Sequence, residues 1–122
     1  MKSTLESLPV EVDQGGIEVR AGRWGSMHVA RFTMSPGSDL TPFFSVLPGG
    51  LCSGEHWGVV TEGSITVRYE DGTEEVTRAG EAYYWPAGHT AWTEDGVVFF
   101  AVTPLAQQET MERQMAEATA QG

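Results

Sequence analysis

Residues 80–88, which read GEAYYWPAG, decide the fold. Turns are predicted at both ends of this stretch, at Ala79-Gly80 and at Pro86 to Gly88. Glycine accepts backbone angles that other residues avoid, and proline is confined to strand ends and edges. Between the turns, Ala82 to Trp85 is aromatic, as is typical of β-strands. The stretch therefore predicts a short strand held between two turns.

The same strand-and-turn pattern continues upstream of this stretch. Val59–Thr61 and Ser64–Tyr69 have strand composition, and Glu62-Gly63 between them predicts a tight turn. Asp71-Gly72 is a strong hairpin signal, after which Thr73–Arg78 returns as the paired strand. This block predicts three consecutive short strands.

Further strands are predicted on both sides of that block. Ile17–Arg20 alternates in polarity, Trp24–Met34 has the composition of one long strand, and Val97–Thr103 is rich in β-branched and aromatic residues. The 15 glycines and 6 prolines are spread at turn-like intervals. Many short strands at regular spacing favour an all-β sandwich or barrel.

The chain is long enough for one domain, with distinct segments at its ends. We expect residues 1–16 to form a flexible N-terminal arm, 17–103 the barrel, and 104–122 a C-terminal helix or tail. Thr103-Pro104 would cap and begin that helix, in which Met111 and Met115 lie four residues apart on one side.

Charge and cysteine content restrict the partners and the compartment. A net charge of −10 disfavours nucleic acid and anionic membranes as partners. Cys52 is the single cysteine, so no internal disulfide can form, as is typical of reducing compartments. The longest apolar run, Val97–Val102, is too short to span a membrane. We expect a soluble, cytoplasmic protein.

The stretch from Gly80 to Gly88 resembles the second motif of the cupins, which is glycine, five residues, proline, any residue and glycine. Gly63 fits the glycine that ends the first cupin motif. The segment from Cys52 to Gly58 is similar to that of compact single-domain bacterial cupins with a Cys-x-x-x-His-Trp-Gly stretch. The resemblance implies a jelly-roll β-barrel whose interior is one pocket for a small molecule or a metal ion.

The usual cupin metal ligands are not at their expected positions. Cupins generally use His-x-His, a glutamate four residues on, and a third histidine after the Pro-x-Gly. Alignment on the glycines places Gly50, Cys52 and His56 at the first three positions and Ala91 at the last, with His89 two residues before it. The departure puts the family's iron or manganese dioxygenase chemistry in doubt.

Cys52, His56 and His89 are the candidate site residues that remain. Residues four apart on a strand share a face, and the cupin resemblance implies that Cys52, His56 and His89 all point into the barrel. Together they predict a site for a divalent transition metal: zinc, iron, copper, nickel or manganese. The sequence leaves open a buried structural thiol for Cys52 and hydrogen-bonded structural roles for the two histidines.

Four other residues are predicted to line the pocket. His28 would share a strand face with Trp24 and Phe32, and Tyr84 would contribute a hydroxyl group. Two glutamates, Glu55 and Glu62, are expected to face solvent.

Two classes of function follow. One is a small-molecule enzyme of isomerase, lyase, cyclase or oxygenase type, in which His56 and His89 bind a metal or act as general acid and base. The other is a non-catalytic sensor or carrier of a small ligand or metal. In either case we expect a homodimer, because pairing would cover exposed sheet edges.

Overall fold

Eight antiparallel strands and one long C-terminal helix make up most of the chain, as the computed structural model shows for residues 1–121. The strands are β1 (Val10–Gln14), β2 (Ile17–Trp24), β3 (Met27–Met34), β4 (His56–Tyr69), β5 (Glu74–Arg78), β6 (Ala82–Trp85), β7 (His89–Trp92) and β8 (Val97–Pro104). The helices are the four-residue α1 (Thr41–Phe44) and α2 (Leu105–Gln121). The predicted all-β class with a C-terminal helix is confirmed.

Strand β4 organises the barrel. The pairing order is β1-β2-β3-β8-β4-β5, and both β6 and β7 also pair with β4. The first half of β4 lies between β8 and β6, and its second half lies between β5 and β7. The predicted hairpin at Asp71-Gly72 joins β4 to β5. One strand thus belongs to both walls of the barrel.

The predicted turn at Glu62-Gly63 is wrong. These residues lie inside β4, which is continuous but shifts register between Val60 and Glu62. Gly63 has a φ of 72°, and a Cβ atom there would collide with the carbonyl oxygen of Gly96. Glycine therefore lets the strand bend from one wall to the other, and a bulge carries the same glycine signal as a turn.

The predicted single strand Trp24–Met34 is also wrong, because it is a hairpin. β2 ends at Trp24, and β3 begins at Met27 directly opposite it. In this register His28 faces Arg23, and directly paired residues share a face of the sheet. Trp24 therefore lies on the opposite face from His28.

The N-terminal segment is not an unpaired arm. Val10–Gln14 forms an edge strand against β2, and the Ala21 amide donates a hydrogen bond to the Pro9 carbonyl. Leu8 is buried. The segment therefore adds a strand to the barrel wall and brings Glu11 to the barrel opening.

Apolar side chains from both walls fill the interior, among them Ile17, Val19, Val60, Ile65, Val67 and Phe99. The helix α2 packs against β8 and β3. A second buried cluster, formed by Leu47, Cys52 and Met111, lies between this helix and the loop before β4. Among residues 1–121, no helix is long and apolar enough to cross a membrane.

Candidate metal and ligand site

Cys52 is held beside the start of β7 by backbone hydrogen bonds. Its amide donates to the His89 carbonyl over 2.8 Å, and the Gly88 amide donates to the Cys52 carbonyl over 2.8 Å. The side chain is 1% exposed. The loop before β4 and the Pro86–Gly88 turn therefore bring this thiol and His89 together.

His56 is the first residue of β4, where it pairs with Trp85 of β6. Its Nε2 lies 3.4 Å from Cys52 Sγ, and its Nδ1 lies 2.6 Å from the Thr103 hydroxyl oxygen. When Nδ1 donates to that hydroxyl, the Nε2 lone pair faces the thiol. Thr103 is buried in β8, so its side chain bonds this imidazole and does not cap α2 as predicted.

His89 begins β7, and its tautomer follows from one contact. Its Nδ1 donates to the Pro86 carbonyl oxygen over 2.7 Å, which leaves Nε2 as the nitrogen with a free lone pair. The rings of His56 and His89 are 5.1 Å apart, nearly perpendicular. One ligand atom from each of Cys52, His56 and His89 lies within 4.8 Å of the others. The three residues selected from the sequence thus form one cluster.

Burial keeps all three groups uncharged. It lowers the pKa of His56 to about 3, assisted by the nearby His89 and His28, and it also lowers the pKa of His89. It raises the pKa of the Cys52 thiol to about 11, against a weaker opposing effect of the Gly54 backbone. At neutral pH both imidazoles are therefore free bases, the form that binds metal ions.

A cavity of about 350 Å³ adjoins the cluster. His56 and His89 lie in its wall, and most of the remaining lining is apolar, including Ile17, Val19, Leu40, Phe44, Phe99 and Ala101. This volume is in the range of small-molecule sites in proteins.

Two of the four predicted lining residues line this cavity. His28 and Phe32 do, whereas Trp24 and Tyr84 do not. Trp24 is excluded by the hairpin described above. Tyr84 lies on the outer face of β6, where it stacks on Trp57 at 5.1 Å and donates a hydrogen bond to Glu55.

The two glutamates expected at the surface differ in their contacts. Glu62 is exposed, as predicted. Glu55 also accepts a hydrogen bond from the Gln107 side chain, while its own amide donates to that side chain over 2.7 Å. Glu55 therefore fastens the loop before β4 to α2.

Trp85 is a further residue of the cavity wall. Its side chain lines the cavity and is 2% exposed, and its Nε1 has no hydrogen-bond partner among the described residues. An unpaired buried donor costs free energy unless an acceptor reaches it. From the sequence, Trp85 was one of several aromatic residues that could line a pocket, with barrel core as the more common role for each of them.

A second polar cluster, formed by Glu11, His28 and Glu112, also borders the cavity. His28 Nε2 lies 3.1 Å from a Glu11 oxygen. Arg23 binds both carboxylate oxygens of Glu112, at 2.9 Å and 2.7 Å. Glu11 and Glu112 were missed because one lies in the supposed arm and the other in a helix of ordinary surface composition.

The chain matches no protein-family model and no curated protein. Solved structures do match it. An RmlC-like cupin from Shewanella frigidimarina is 17% identical, with 88% of this chain and 93% of that one aligned at a TM-score of 0.64. The polyketide cyclase RemF from Streptomyces resistomycificus is 21% identical, with coverages of 86% and 79% and a TM-score of 0.63.

A protein of unknown function from Rhizobium leguminosarum is similar to the same extent. It is 24% identical over 85% of this chain and 95% of its own length, with a TM-score of 0.61. At these identities the likeness concerns the fold. The jelly-roll barrel implied by the GEAYYWPAG stretch is confirmed as a cupin fold.

Proposed function

We propose that this chain is a metal-dependent enzyme acting on a small organic molecule. It has a cupin fold with a cysteine and two histidines beside its interior cavity. The observation that carries the proposal is the convergence of Cys52, His56 and His89, whose ligand atoms lie within 4.8 Å of one another, next to a mainly apolar cavity of about 350 Å³.

The donor set fits a divalent transition metal. Imidazole and thiolate bind zinc, copper and iron well, and three protein ligands leave a position for water or substrate. Both histidines also have the outer partner that metal-binding histidines usually have, Thr103 for His56 and the Pro86 carbonyl for His89. A metal held there would supply a Lewis acid or an activated water.

The second polar cluster fits a cation less well. The guanidinium of Arg23 already neutralises Glu112 through two hydrogen bonds and lies 4.0 Å from Glu11. A metal ion there would be repelled by this fixed positive charge and would compete with it for the same oxygens. We assign these residues to substrate binding at the polar part of the cavity.

The cavity indicates the class of substrate. Its apolar wall suits a substrate with a hydrocarbon or aromatic skeleton. The Trp85 Nε1, which has no partner among the described residues, could donate a hydrogen bond to a carbonyl or hydroxyl oxygen of that substrate. The low pKa of His56 leaves it unprotonated near neutral pH, which favours metal ligation over general-acid catalysis as its role. The isomerase, lyase, cyclase and oxygenase types remain the candidate reactions.

Metal analysis of the purified chain tests the proposal. We expect one transition-metal ion per wild-type chain and its loss in Cys52→Ser and in His56→Gln. His28→Gln is the matched control, because it alters the third histidine and should retain the metal. Loss of metal only in His28→Gln would move the site to the Glu11 cluster, and absence of metal from all four proteins would contradict the proposal.

Catalysis requires a separate experiment. The metal-loaded wild type is incubated with a panel of small carbonyl and hydroxyl compounds, and both binding and conversion are followed by mass spectrometry. Conversion that is lost in Cys52→Ser supports an enzyme. A compound that binds at one per chain and is recovered unchanged would instead support the sensor or carrier alternative.

A further inference from the structure

We infer that the Met111 thioether is a fourth donor to the cluster and that the resulting site prefers Cu(I) over Zn(II). The inference rests on the proposed metal site at Cys52, His56 and His89. It adds to that site the sulfur of Met111, which comes from α2 at the other end of the chain.

Met111 contacts the cysteine directly. The two sulfur atoms, Sδ of Met111 and Sγ of Cys52, are 3.3 Å apart. Met111 is 5% exposed, and it also lies in the cavity wall beside His56 and His89. The thioether therefore lies against the thiol of the cluster, and Met111 lines the same cavity as the two histidines.

Gly54 has no side chain, which leaves room for the end of the Met111 side chain. A Cβ atom at residue 54 would lie 2.8 Å from Met111 Cε and 3.4 Å from His56 Cε1. The backbone of Gly54 does not have a positive φ, so chain conformation alone does not demand glycine there. A side chain at this position would instead have to displace the flexible methyl end of Met111 beside the His56 ring.

The thiol of Cys52 contacts two side-chain atoms that could accept its single hydrogen. A Cys52 thiol carries one hydrogen, yet Met111 Sδ at 3.3 Å and His56 Nε2 at 3.4 Å both lie in contact with Sγ. When His56 carries its hydrogen on Nδ1 and donates it to Thr103, the thiol can satisfy only one of these two lone pairs. A soft cation bound at this point would accept electron pairs from all of them.

The composition of the set favours copper. Thiolate and thioether sulfur are soft ligands that select Cu(I), and two histidines with one cysteine and a weak methionine is a donor set characteristic of copper sites. Zinc sites use cysteine, histidine and carboxylate ligands instead. The methionine therefore distinguishes the two metals.

Helix α2 is held in place on both sides of Met111. Before it, the Gln107 amide group donates to Glu55 over 3.0 Å, and after it Glu112 binds Arg23. These contacts fix the helix to the loop before β4 and to the end of β2. The position of the thioether is thus supported by interactions that do not involve a metal.

Competition titration tests the inference with a matched pair of variants. The full chain, freed of metal, is titrated with Cu(I) and separately with Zn(II) against chromogenic chelators. Met111→Leu should weaken Cu(I) binding by roughly tenfold or more and leave Zn(II) binding unchanged. Met115→Leu, which alters the next methionine of the same helix, should leave both unchanged.

X-ray absorption on the Cu(I)-loaded wild type gives a second readout that needs no variant. Two sulfur neighbours on copper are expected, and one sulfur would overturn the assignment even if Met111→Leu failed to fold. Equal Cu(I) affinity in the two leucine variants would also overturn it, while leaving the three-residue site intact. Failure of the wild type to bind either metal would instead overturn the proposed function.

Discussion

Single side chains determine the chemistry of the cavity, and Thr103 shows how. Its hydroxyl is the partner of His56 Nδ1, at 2.6 Å in the barrel interior. The hydroxyl of Thr33, on the neighbouring strand β3, is also buried but has no hydrogen-bond partner within residues 1–121. The two threonines therefore form a natural pair for measuring what this contact contributes.

Thr103→Val should destabilise the metal-free protein by about 1–3 kcal/mol, because it leaves a buried imidazole nitrogen without its hydrogen-bond partner. Thr33→Val should be neutral or stabilising, because it removes a hydroxyl that is already unpaired. Urea denaturation of both variants and the wild type measures the difference. Equal effects of the two substitutions would contradict the role given to Thr103.

The pKa of His56 predicts how stability depends on pH in the metal-free protein. Burial holds this pKa at about 3 in the folded chain, below the ordinary histidine value of 6.5. Between these values the unfolded chain binds a proton that the folded chain does not, so stability is complete above the unfolded pKa and declines as pH falls. The loss should amount to a few kcal/mol.

Urea denaturation with a chelator, at about pH 7 and about pH 5, tests this dependence. His56→Gln should lose less stability than the wild type on acidification, because glutamine does not titrate. His28→Gln is the control and should lose more than His56→Gln and only slightly less than the wild type, because it removes the smallest contribution to the low pKa of His56. A decline in His56→Gln as steep as that of the wild type would assign the effect to other groups.

At the scale of elements, the bend in β4 depends on Gly63. Gly63 and Gly72 both have positive φ, so alanine at either position costs about 1–2 kcal/mol in backbone strain. A Cβ at Gly72 would meet open space, whereas one at Gly63 would collide with the Gly96 carbonyl. Gly63→Ala should therefore reduce the free energy of unfolding by clearly more than Gly72→Ala does, as measured by urea denaturation. Equal losses would show that the bend tolerates a side chain.

The elements also show what sequence can predict. Motifs that are local, such as the GEAYYWPAG strand with its two turns and the Asp71-Gly72 hairpin, were predicted because their signals lie within a few residues. The bend at Gly63 was misread because glycine marks turns and bulges alike. The hairpin after Trp24 was missed because its two turn residues, Gly25 and Ser26, lie within a longer segment of strand composition.

The candidate site also combines residues that the sequence indicated with residues that it did not. Cys52, His56 and His89 were found because their residue types and their position in the cupin-like stretch indicate ligands. Met111 is 59 residues from Cys52, and Thr103 is 47 residues from His56. Only the packing of α2 and β8 brings them to the site. The sequence around Met111 indicates the face of a helix, and the sequence around Thr103 indicates a helix cap. Contacts of this kind have no local signal.

At the scale of the whole molecule, homodimer formation stays a prediction. The strands β1 and β5 end the pairing order, so each offers an unpaired edge to a second copy. Sedimentation of the purified chain should give twice the monomer mass. A monomer mass at high protein concentration would contradict it.

Metal binding should stabilise the entire barrel, because its ligands come from elements far apart in the chain. Cys52 lies in the loop before β4, His56 begins β4, and His89 begins β7. A ligand that binds only the folded state adds about 2.7 kcal/mol at a free concentration of 100 times its Kd. Thermal denaturation with and without added metal should therefore show a higher Tm for the wild type and His28→Gln, and no rise for Cys52→Ser. A rise in Cys52→Ser equal to that of the wild type would mean that the stabilising metal binds elsewhere.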